Sequence, residues 1–138
     1  FRYSDVPFVA ITGTNGKTTT TTLTAFLLEK EGRKVVAGGN IGLPLISQCP
    51  QMSANDIVVA EMSSFQLESV DSFCPKVAVV MNLTPDHLDR HKTMEAYAAA
   101  KANIFKNQGP EEYLLLNNLF RGQNPVNQLL QQRFFHIF

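Results

Sequence analysis

A short apolar strand runs directly into a glycine-containing loop and then into a helix, and this unit constrains the fold more than any other part of the sequence. Residues 7–12 are an apolar run, residues 13–18 read Gly-Thr-Asn-Gly-Lys-Thr, and residues 17–31 have the periodicity of a helix. A strand, a glycine turn and a helix in this order indicate an α/β fold. One stripe of the helix carries Leu23, Phe26, Leu27 and Lys30.

The loop has the composition of a phosphate-binding turn. Backbone N–H groups of a glycine-containing turn at a helix start can bind phosphate oxygens. In this interpretation Lys17 reaches the β- and γ-phosphates of ATP, and the Thr18 hydroxyl binds Mg²⁺. The usual pattern has a glycine five residues before Gly16, where this chain has Ile11, so the loop is a shortened variant. The alternative is a turn that binds no ligand. The candidate nucleotide-binding residues are Gly13, Thr14, Asn15, Gly16, Lys17, Thr18 and Thr19.

Apolar strand patterns and helical patterns alternate along the rest of the chain. This alternation predicts a mostly parallel sheet with helices on both faces, a three-layer α/β sandwich like that of phosphate-loop NTPases. In such sheets, ligands bind beyond the carboxyl ends of the strands. The predicted strands are residues 7–12, 34–37, 56–61, 76–81, 113–116 and 133–138, and the predicted helices are residues 17–31, 64–70, 93–107 and 125–132.

Polar motifs follow several predicted strands at that edge. Asn40 lies in a glycine-flanked turn, which would let the backbone approach a ligand closely, or it is an ordinary turn residue. Glu61 ends a buried strand. A carboxylate at this position beside a phosphate loop could bind Mg²⁺ or position a water molecule; the alternative is a simply exposed glutamate. Ser63 and Gln66 follow at a helix start, where they could meet an anionic substrate.

Residues 82–91 read Asn-Leu-Thr-Pro-Asp-His-Leu-Asp-Arg-His and are dense in charged and metal-binding groups. Their oxygen and nitrogen ligands, without a cysteine, favour Mg²⁺ or Mn²⁺ over structural zinc. The alternative is a solvated loop in which His91 lies at the surface. On the next predicted helix, the spacing of Lys101 favours a solvated lysine, although the alanines around it leave room for it to point inward.

Four segments together resemble the Mur ligase family, the ATP-dependent amide-bond ligases of peptidoglycan precursor synthesis: residues 12–19, 39–42, 61–67 and 82–91. The resemblance covers about residues 6–108. Glu-x-Ser-Ser-Phe-Gln-Leu combined with Asp-His-Leu-Asp-Arg-His is similar to the member that adds D-glutamate to UDP-N-acetylmuramoyl-L-alanine. Sister ligases and folylpolyglutamate synthase-like ligases usually differ in these motifs. They remain alternatives, as does a plain phosphate-loop NTPase.

The resemblance implies a mechanism and a set of roles. The substrate carboxylate attacks the γ-phosphate of ATP, and the D-glutamate amine then displaces phosphate from the acyl phosphate. A carbamylated Lys101 is implied as a metal ligand, which requires a neutral amine and hence a lowered pKa. The implied catalytic residues are Lys17, His87 and Lys101, the implied Mg²⁺ ligands are Thr18, Glu61, His87 and Lys101, and the implied contacts to the sugar nucleotide are Asn40, Ser63 and Gln66.

Composition and charge narrow the remaining possibilities. The formal net charge is zero, so we expect no general attraction to nucleic acid or membrane. Cys49 and Cys74 match no metal spacing, which favours a reduced, cytoplasmic setting. Residues 1–138 resemble only the central ATP-binding domain of a three-domain family. We therefore expect a fragment of a monomeric enzyme, inactive without the uridine-binding and amino-acid-binding domains.

Overall fold

The structure, a computed structural model, describes residues 6–42, 45–48 and 52–117 of the 138-residue chain. Within these residues a parallel sheet has the strand order β2-β3-β1-β4-β5. The predicted helix and strand at residues 125–132 and 133–138 lie outside the described residues. The strands are β1 Phe8–Thr12, β2 Val35–Gly39, β3 Ile57–Glu61, β4 Val77–Val80 and β5 Tyr113–Leu116.

The helices connect these strands and agree with the predicted ones in place. The helix predicted at residues 93–107 ends in a 3-10 turn at Asn103–Phe105, and two short helices were not predicted. Thr93 caps its helix as expected, since its side chain accepts a hydrogen bond from the Ala96 N–H. The helices are α1 Lys17–Lys30, α2 Leu45–Gln48, α3 Ser64–Glu68, α4 Leu88–His91 and α5 Met94–Ala102.

The central strand β1 is buried on both faces, and alternate residues of the strand point to opposite faces. In β1, Phe8 and Ala10 join a core cluster with residues of α3, α5 and the 3-10 turn, such as Leu67 and Phe105. Ile11 joins a second cluster with Ala25 of α1. The α/β fold with helices on both faces is therefore confirmed.

The apolar stripe of α1 does not face the sheet. Leu23, Phe26 and Leu27 are 50–54% exposed, whereas Thr21 and Ala25 are buried against the sheet. Periodicity indicates which residues share a helix face but not which face meets the sheet. Here the small residues Thr21 and Ala25 face the sheet, so α1 can pack closely against it.

The carboxyl ends of β1, β2 and β3 lie side by side. Ile11 of β1 and Gly39 of β2 are both in register with Glu61. Gly39 has φ +112°, and a Cβ there would lie 2.3 Å from the Glu61 carbonyl oxygen. Only glycine fits this position, so β2 reaches the Glu61 backbone. None of the helices in the described residues is long and apolar enough to cross a membrane.

Candidate active site

The glycine loop leads directly into α1 and lies beside the first backbone N–H groups of this helix. Gly16 is the N-cap in the left-handed conformation at φ 80°, a backbone that suits glycine. Helix geometry leaves the first N–H groups of α1 without intrahelical acceptors. Among the residues that the structure describes, no side chain caps them, and the first turn holds no acid. The start of α1 therefore has the donors and the dipole to bind an anion at Lys17 and Thr18.

The other part of the loop is held from outside by Asn82, which follows β4. Asn82 Oδ1 accepts hydrogen bonds from the Thr14 N–H at 2.9 Å and the Asn15 N–H at 2.8 Å. Its Nδ2 donates to the Asn15 carbonyl at 2.9 Å. These two loop N–H groups thus already have a protein acceptor. The sequence interpretation took the N–H groups of the whole loop as donors to phosphate, so it did not predict that Asn82 accepts two of them.

Thr14 connects the loop to three further groups. Its hydroxyl lies 3.2 Å from the Thr84 carbonyl oxygen and 3.2 Å from the Tyr97 hydroxyl. Its own carbonyl accepts a 2.8 Å hydrogen bond from Lys17 Nζ. The lysine expected to contact phosphate is therefore folded back onto the loop that carries it.

Glu61 lies beside the helix start, where the sequence places a metal ligand. Its side chain accepts hydrogen bonds from Thr18 Oγ1 at 2.8 Å and from Asn40 Nδ2 at 3.0 Å. Glu61 is only 2% exposed, so the alternative of a simply exposed glutamate is wrong. The structure thus brings Thr18, Asn40 and Glu61 together, and the Asn40 amide contacts this carboxylate.

Lys101 points inward from α5 and is 2% exposed, so the solvated alternative is wrong. Its Nζ donates to the Gly13 carbonyl at 2.9 Å and lies 3.3 Å from Thr12 Oγ1. Burial lowers the pKa of Lys101 to about 8, and the positive charge of Lys17 adds to that effect. The direction of this change agrees with the lowered pKa that the resemblance implies.

Ser63 and Gln66 form a capping box at the start of α3. The Ser63 hydroxyl accepts from the Gln66 N–H, and the Gln66 side chain accepts from the Ser63 N–H. Ser63 and Gln66 lie two and five residues after Glu61, which ends β3 at the carboxyl edge of the sheet. Their hydrogen bonds explain why α3 starts there, and their predicted contact with a sugar nucleotide stays a prediction.

His87 stands apart from the other predicted metal ligands. It begins α4 at φ 51°, its side chain is 50% exposed, and its Nε2 lies 3.5 Å from Asp86 Oδ2. Within the described ranges, no three His, Cys, Asp or Glu side chains are grouped so that they could hold a metal ion. Of the four predicted ligands, Thr18 and Glu61 are in contact, whereas no contact joins His87 to Glu61 or Lys101 in the part of the chain that is described.

His91 is buried, whereas the sequence analysis gave a surface position for it as one alternative. It is 8% exposed, its Nε2 lies 3.0 Å from Ser64 Oγ, and its Nδ1 lies 3.3 Å from Glu68 Oε1. Its ring stacks on Phe65 at 5.5 Å between centroids with a 7° interplanar angle. The surface alternative is therefore wrong, and His91 joins α4 to α3.

Comparisons with known proteins agree with this geometry. A sequence profile of the Mur ligase middle domain matches residues 11–134. The UDP-N-acetylmuramoylalanine--D-glutamate ligase of Caldanaerobacter subterraneus subsp. tengcongensis is 53% identical over 96% of this chain and 29% of its own length. The ligase of the same name from Clostridioides difficile is 51% identical over 85% of this chain and 26% of its own length. The chain thus spans less than a third of the length of these relatives.

Solved structures show the same fold at lower identity. A MurF ligase from Thermotoga maritima in complex with ADP matches with a TM-score of 0.66 at 24% identity, over 96% of this chain and 31% of that one. Escherichia coli FolC in complex with ADP matches with a TM-score of 0.65 at 21% identity, over 94% of this chain and 42% of that one. The profile match covers most of the sequence, and the chain therefore belongs to the Mur ligase family, whose middle domain it matches.

Proposed function

We propose that this chain is the ATP-binding middle domain of a longer ligase that joins D-glutamate to UDP-N-acetylmuramoyl-L-alanine. The observation that carries the proposal is the convergence of the glycine loop, the Thr18–Glu61 pair and buried Lys101 at one edge of the sheet. The D-glutamate ligases at 51% and 53% identity support this member over its sisters. The similarity to MurF and FolC, at 24% and 21% identity, supports the fold only.

The reaction brings two anions together, so the site must supply positive charge. A carboxylate oxygen of the substrate attacks the γ-phosphorus of ATP, which forms an acyl phosphate and ADP. The amine of D-glutamate then attacks the acyl carbon, and phosphate leaves as the amide forms. In this proposal Lys17 leaves the Thr14 carbonyl and contacts the β- and γ-phosphates, while the free N–H groups at the start of α1 bind phosphate oxygens.

Mg²⁺ fits the pair formed by Thr18 and Glu61. Glu61 is buried, and among the described residues its side-chain partners are the neutral hydroxyl of Thr18 and the neutral amide of Asn40. A buried carboxylate without a nearby cation is costly, and a carboxylate with a hydroxyl is a ligand set that Mg²⁺ prefers. Bound there, Mg²⁺ would offset phosphate charge as it develops. Asn40 would then hold the Glu61 side chain in place, in addition to any substrate contact.

Lys101 is proposed to act as a carbamate. Carbon dioxide reacts with a neutral amine, and the pKa of about 8 leaves part of the Lys101 population neutral near physiological pH. The buried position beside the Gly13 carbonyl would place the resulting carboxylate near the phosphate loop. His87, at the exposed start of α4, is proposed to bind Mg²⁺ together with this carbamate.

Ser63 and Gln66 are proposed to contact the sugar nucleotide. The free Cys74 thiol supports a cytoplasmic location.

A ligase assay on the longer protein tests the proposal. With MgATP and UDP-N-acetylmuramoyl-L-alanine, phosphate release should depend on added D-glutamate. Lys101→Ala should abolish activity, and acetate or formate should restore part of it by replacing the carbamate. The exposed control Lys30→Ala should leave the rate unchanged. Phosphate release that does not depend on D-glutamate would favour a plain NTPase, and an active Lys101→Ala enzyme would contradict the carbamate role.

A further inference from the structure

The glycine loop is short, and its shape has an external support. The usual phosphate loop has a glycine where this chain has Ile11, which lies inside β1. Thr14 and Asn15 therefore follow the strand almost directly. Their N–H groups donate to the same atom, Asn82 Oδ1, at 2.9 and 2.8 Å. The segment after β4 thus fixes the first half of the loop.

Asn82 has the combination of groups that this loop segment needs. An asparagine side chain offers one oxygen that accepts two hydrogen bonds and one nitrogen that donates. Here the oxygen serves both N–H groups, and Nδ2 donates to the Asn15 carbonyl at 2.9 Å. Aspartate could accept but could not donate. The loop backbone also lies directly against the end of β4, because a Cβ at Gly13 would be 3.1 Å from Met81 Cβ.

Asn82 also determines where Lys17 is held. The Thr14 carbonyl and the Asn15 N–H form one trans peptide group and point in opposite directions. Because the Asn15 N–H donates to Asn82 Oδ1 at 2.8 Å, the Thr14 carbonyl points to the other side and accepts the Lys17 ammonium group at 2.8 Å. The Thr14 hydroxyl reinforces this orientation through Thr84 and Tyr97. The same peptide thus connects the segment after β4 to the lysine proposed to contact ATP.

We propose that Asn82 is a positioning residue that shapes the shortened phosphate loop for nucleotide binding. This inference rests on the proposed ATP-binding function. Asn82 does not contact the nucleotide in this account. It holds Thr14 and Asn15 so that the second half of the loop, from Gly16 to Thr18, presents its free N–H groups to the phosphates. Loss of Asn82 should therefore weaken nucleotide binding without unfolding the chain.

The test measures MgATP affinity and amide hydrogen exchange in the chain carrying Asn82→Ala. The matched control is Asn107→Ala. Asn107 Nδ2 also joins two loop carbonyls, those of Asp71 and Phe73, but next to the start of β5 rather than beside the phosphate loop. Both variants should lower the melting temperature by similar amounts. Only Asn82→Ala should weaken MgATP binding, by on the order of tenfold or more, as expected for several lost hydrogen bonds.

Hydrogen exchange supplies a readout that general destabilisation would not produce. The Asn15 amide should exchange slowly in the wild type and in Asn107→Ala but rapidly in Asn82→Ala. The Thr14 amide is not a reporter, because it also donates to the backbone carbonyl of Asn82 at 3.1 Å, which the substitution keeps. The Thr20 amide, which donates to the Gly16 carbonyl, should stay protected in all three. If Asn82→Ala does not fold, Asn82→Asp replaces it. That variant keeps the acceptor, so the Asn15 amide stays protected, while the lost donor and the added negative charge weaken MgATP binding.

The outcomes separate this inference from the proposed function. A wild-type chain that binds no MgATP overturns both. A wild-type chain that binds MgATP, with Asn82→Ala binding within about twofold of it, overturns the positioning role alone. Continued protection of the Asn15 amide in Asn82→Ala would overturn it as well.

Discussion

Lys101 Nζ donates a 2.9 Å hydrogen bond to the carbonyl oxygen of Gly13, so a buried ammonium group contacts the phosphate loop directly. The contact joins α5 to the loop after β1, two parts of the chain far apart in sequence. Burial lowers the pKa of Lys101 because it removes the amine from water, and the positive charge of Lys17 lowers it further.

The first prediction concerns the pH dependence of stability. The pKa of Lys101 is about 8 in the folded chain and about 10.5, its ordinary value, in the unfolded chain. Between these values the unfolded chain binds more protons, so this group raises the free energy of unfolding as pH rises, by at most about 1.4 kcal/mol per pH unit. The cost of burying the charge is fully present below pH 8. Lys101→Met should flatten this rise in urea unfolding between pH 8 and pH 10 in CO₂-free buffer.

The control for this experiment is Lys30→Met, which removes the same charge from an exposed position at the end of α1. Its pH profile should run parallel to that of the wild type. A Lys101→Met profile that also runs parallel would contradict the buried ammonium group.

The second prediction concerns Gly39, the last residue of β2. Gly39→Ala should lower the free energy of unfolding by about 3 kcal/mol, because φ is +112° and the new Cβ would meet the Glu61 carbonyl oxygen at 2.3 Å. Gly32→Ala is the matched control, with φ +79° and no atom within 4 Å of the new Cβ. It should cost only about 1 kcal/mol, the price of the left-handed backbone alone. Equal losses in chemical denaturation would show that the contact with Glu61 is not tight.

The third prediction concerns Thr21, on the sheet-facing side of α1. Its hydroxyl is buried and, within the described part of the chain, has no hydrogen-bond partner. Thr21→Val keeps the side-chain shape and removes this unpaired group, so it should raise the free energy of unfolding by about 1 kcal/mol. The exposed neighbour Thr22→Val should change it by less than about 0.5 kcal/mol. A loss of stability in Thr21→Val would indicate that the hydroxyl is hydrogen-bonded after all.

The fourth prediction concerns His91, which packs α4 against α3. His91→Ala should lower the free energy of unfolding by about 3 kcal/mol, since it removes a buried ring stacked on Phe65 and leaves Ser64 Oγ without its partner. His87→Asn is the control, because His87 is half exposed and asparagine tolerates its left-handed backbone. It should cost under about 0.5 kcal/mol. A His91→Ala variant as stable as the control would mean that the histidine does not hold the two helices together.

The sequence predicts the sheet well because the strands are nearly continuous apolar runs, such as residues 57–60, which mark burial on both faces. It also places Glu61 and Asn40 near the helix start at Thr18, because the carboxyl ends of parallel strands meet at one edge, whereas His87 lies apart from them. Glu61 lies where that rule places it, and the alanines around Lys101 correctly indicate room for an inward lysine.

Other features depend on contacts between distant segments and leave no local pattern. Asn82 begins the polar segment 82–91, but its contact with the loop at Thr14 and Asn15 exists only in the folded chain and has no signal in the sequence. His91 looks like a polar surface residue because its partners, Ser64 and Glu68, lie on another helix. The α1 stripe has helical spacing, but its orientation depends on how Gly16 starts the helix.

The binding of MgATP to this chain is the measurement that tests the central claim most directly. Millimolar MgATP should raise the melting temperature of the wild-type chain, since a ligand that binds only the folded state stabilises it. Lys17→Ala should abolish that shift, because it removes the ammonium group that contacts the phosphates, and Lys30→Ala should retain it. No shift in the wild-type chain, or an equal shift in Lys17→Ala, would contradict the assignment of residues 13–19 as an ATP-binding loop.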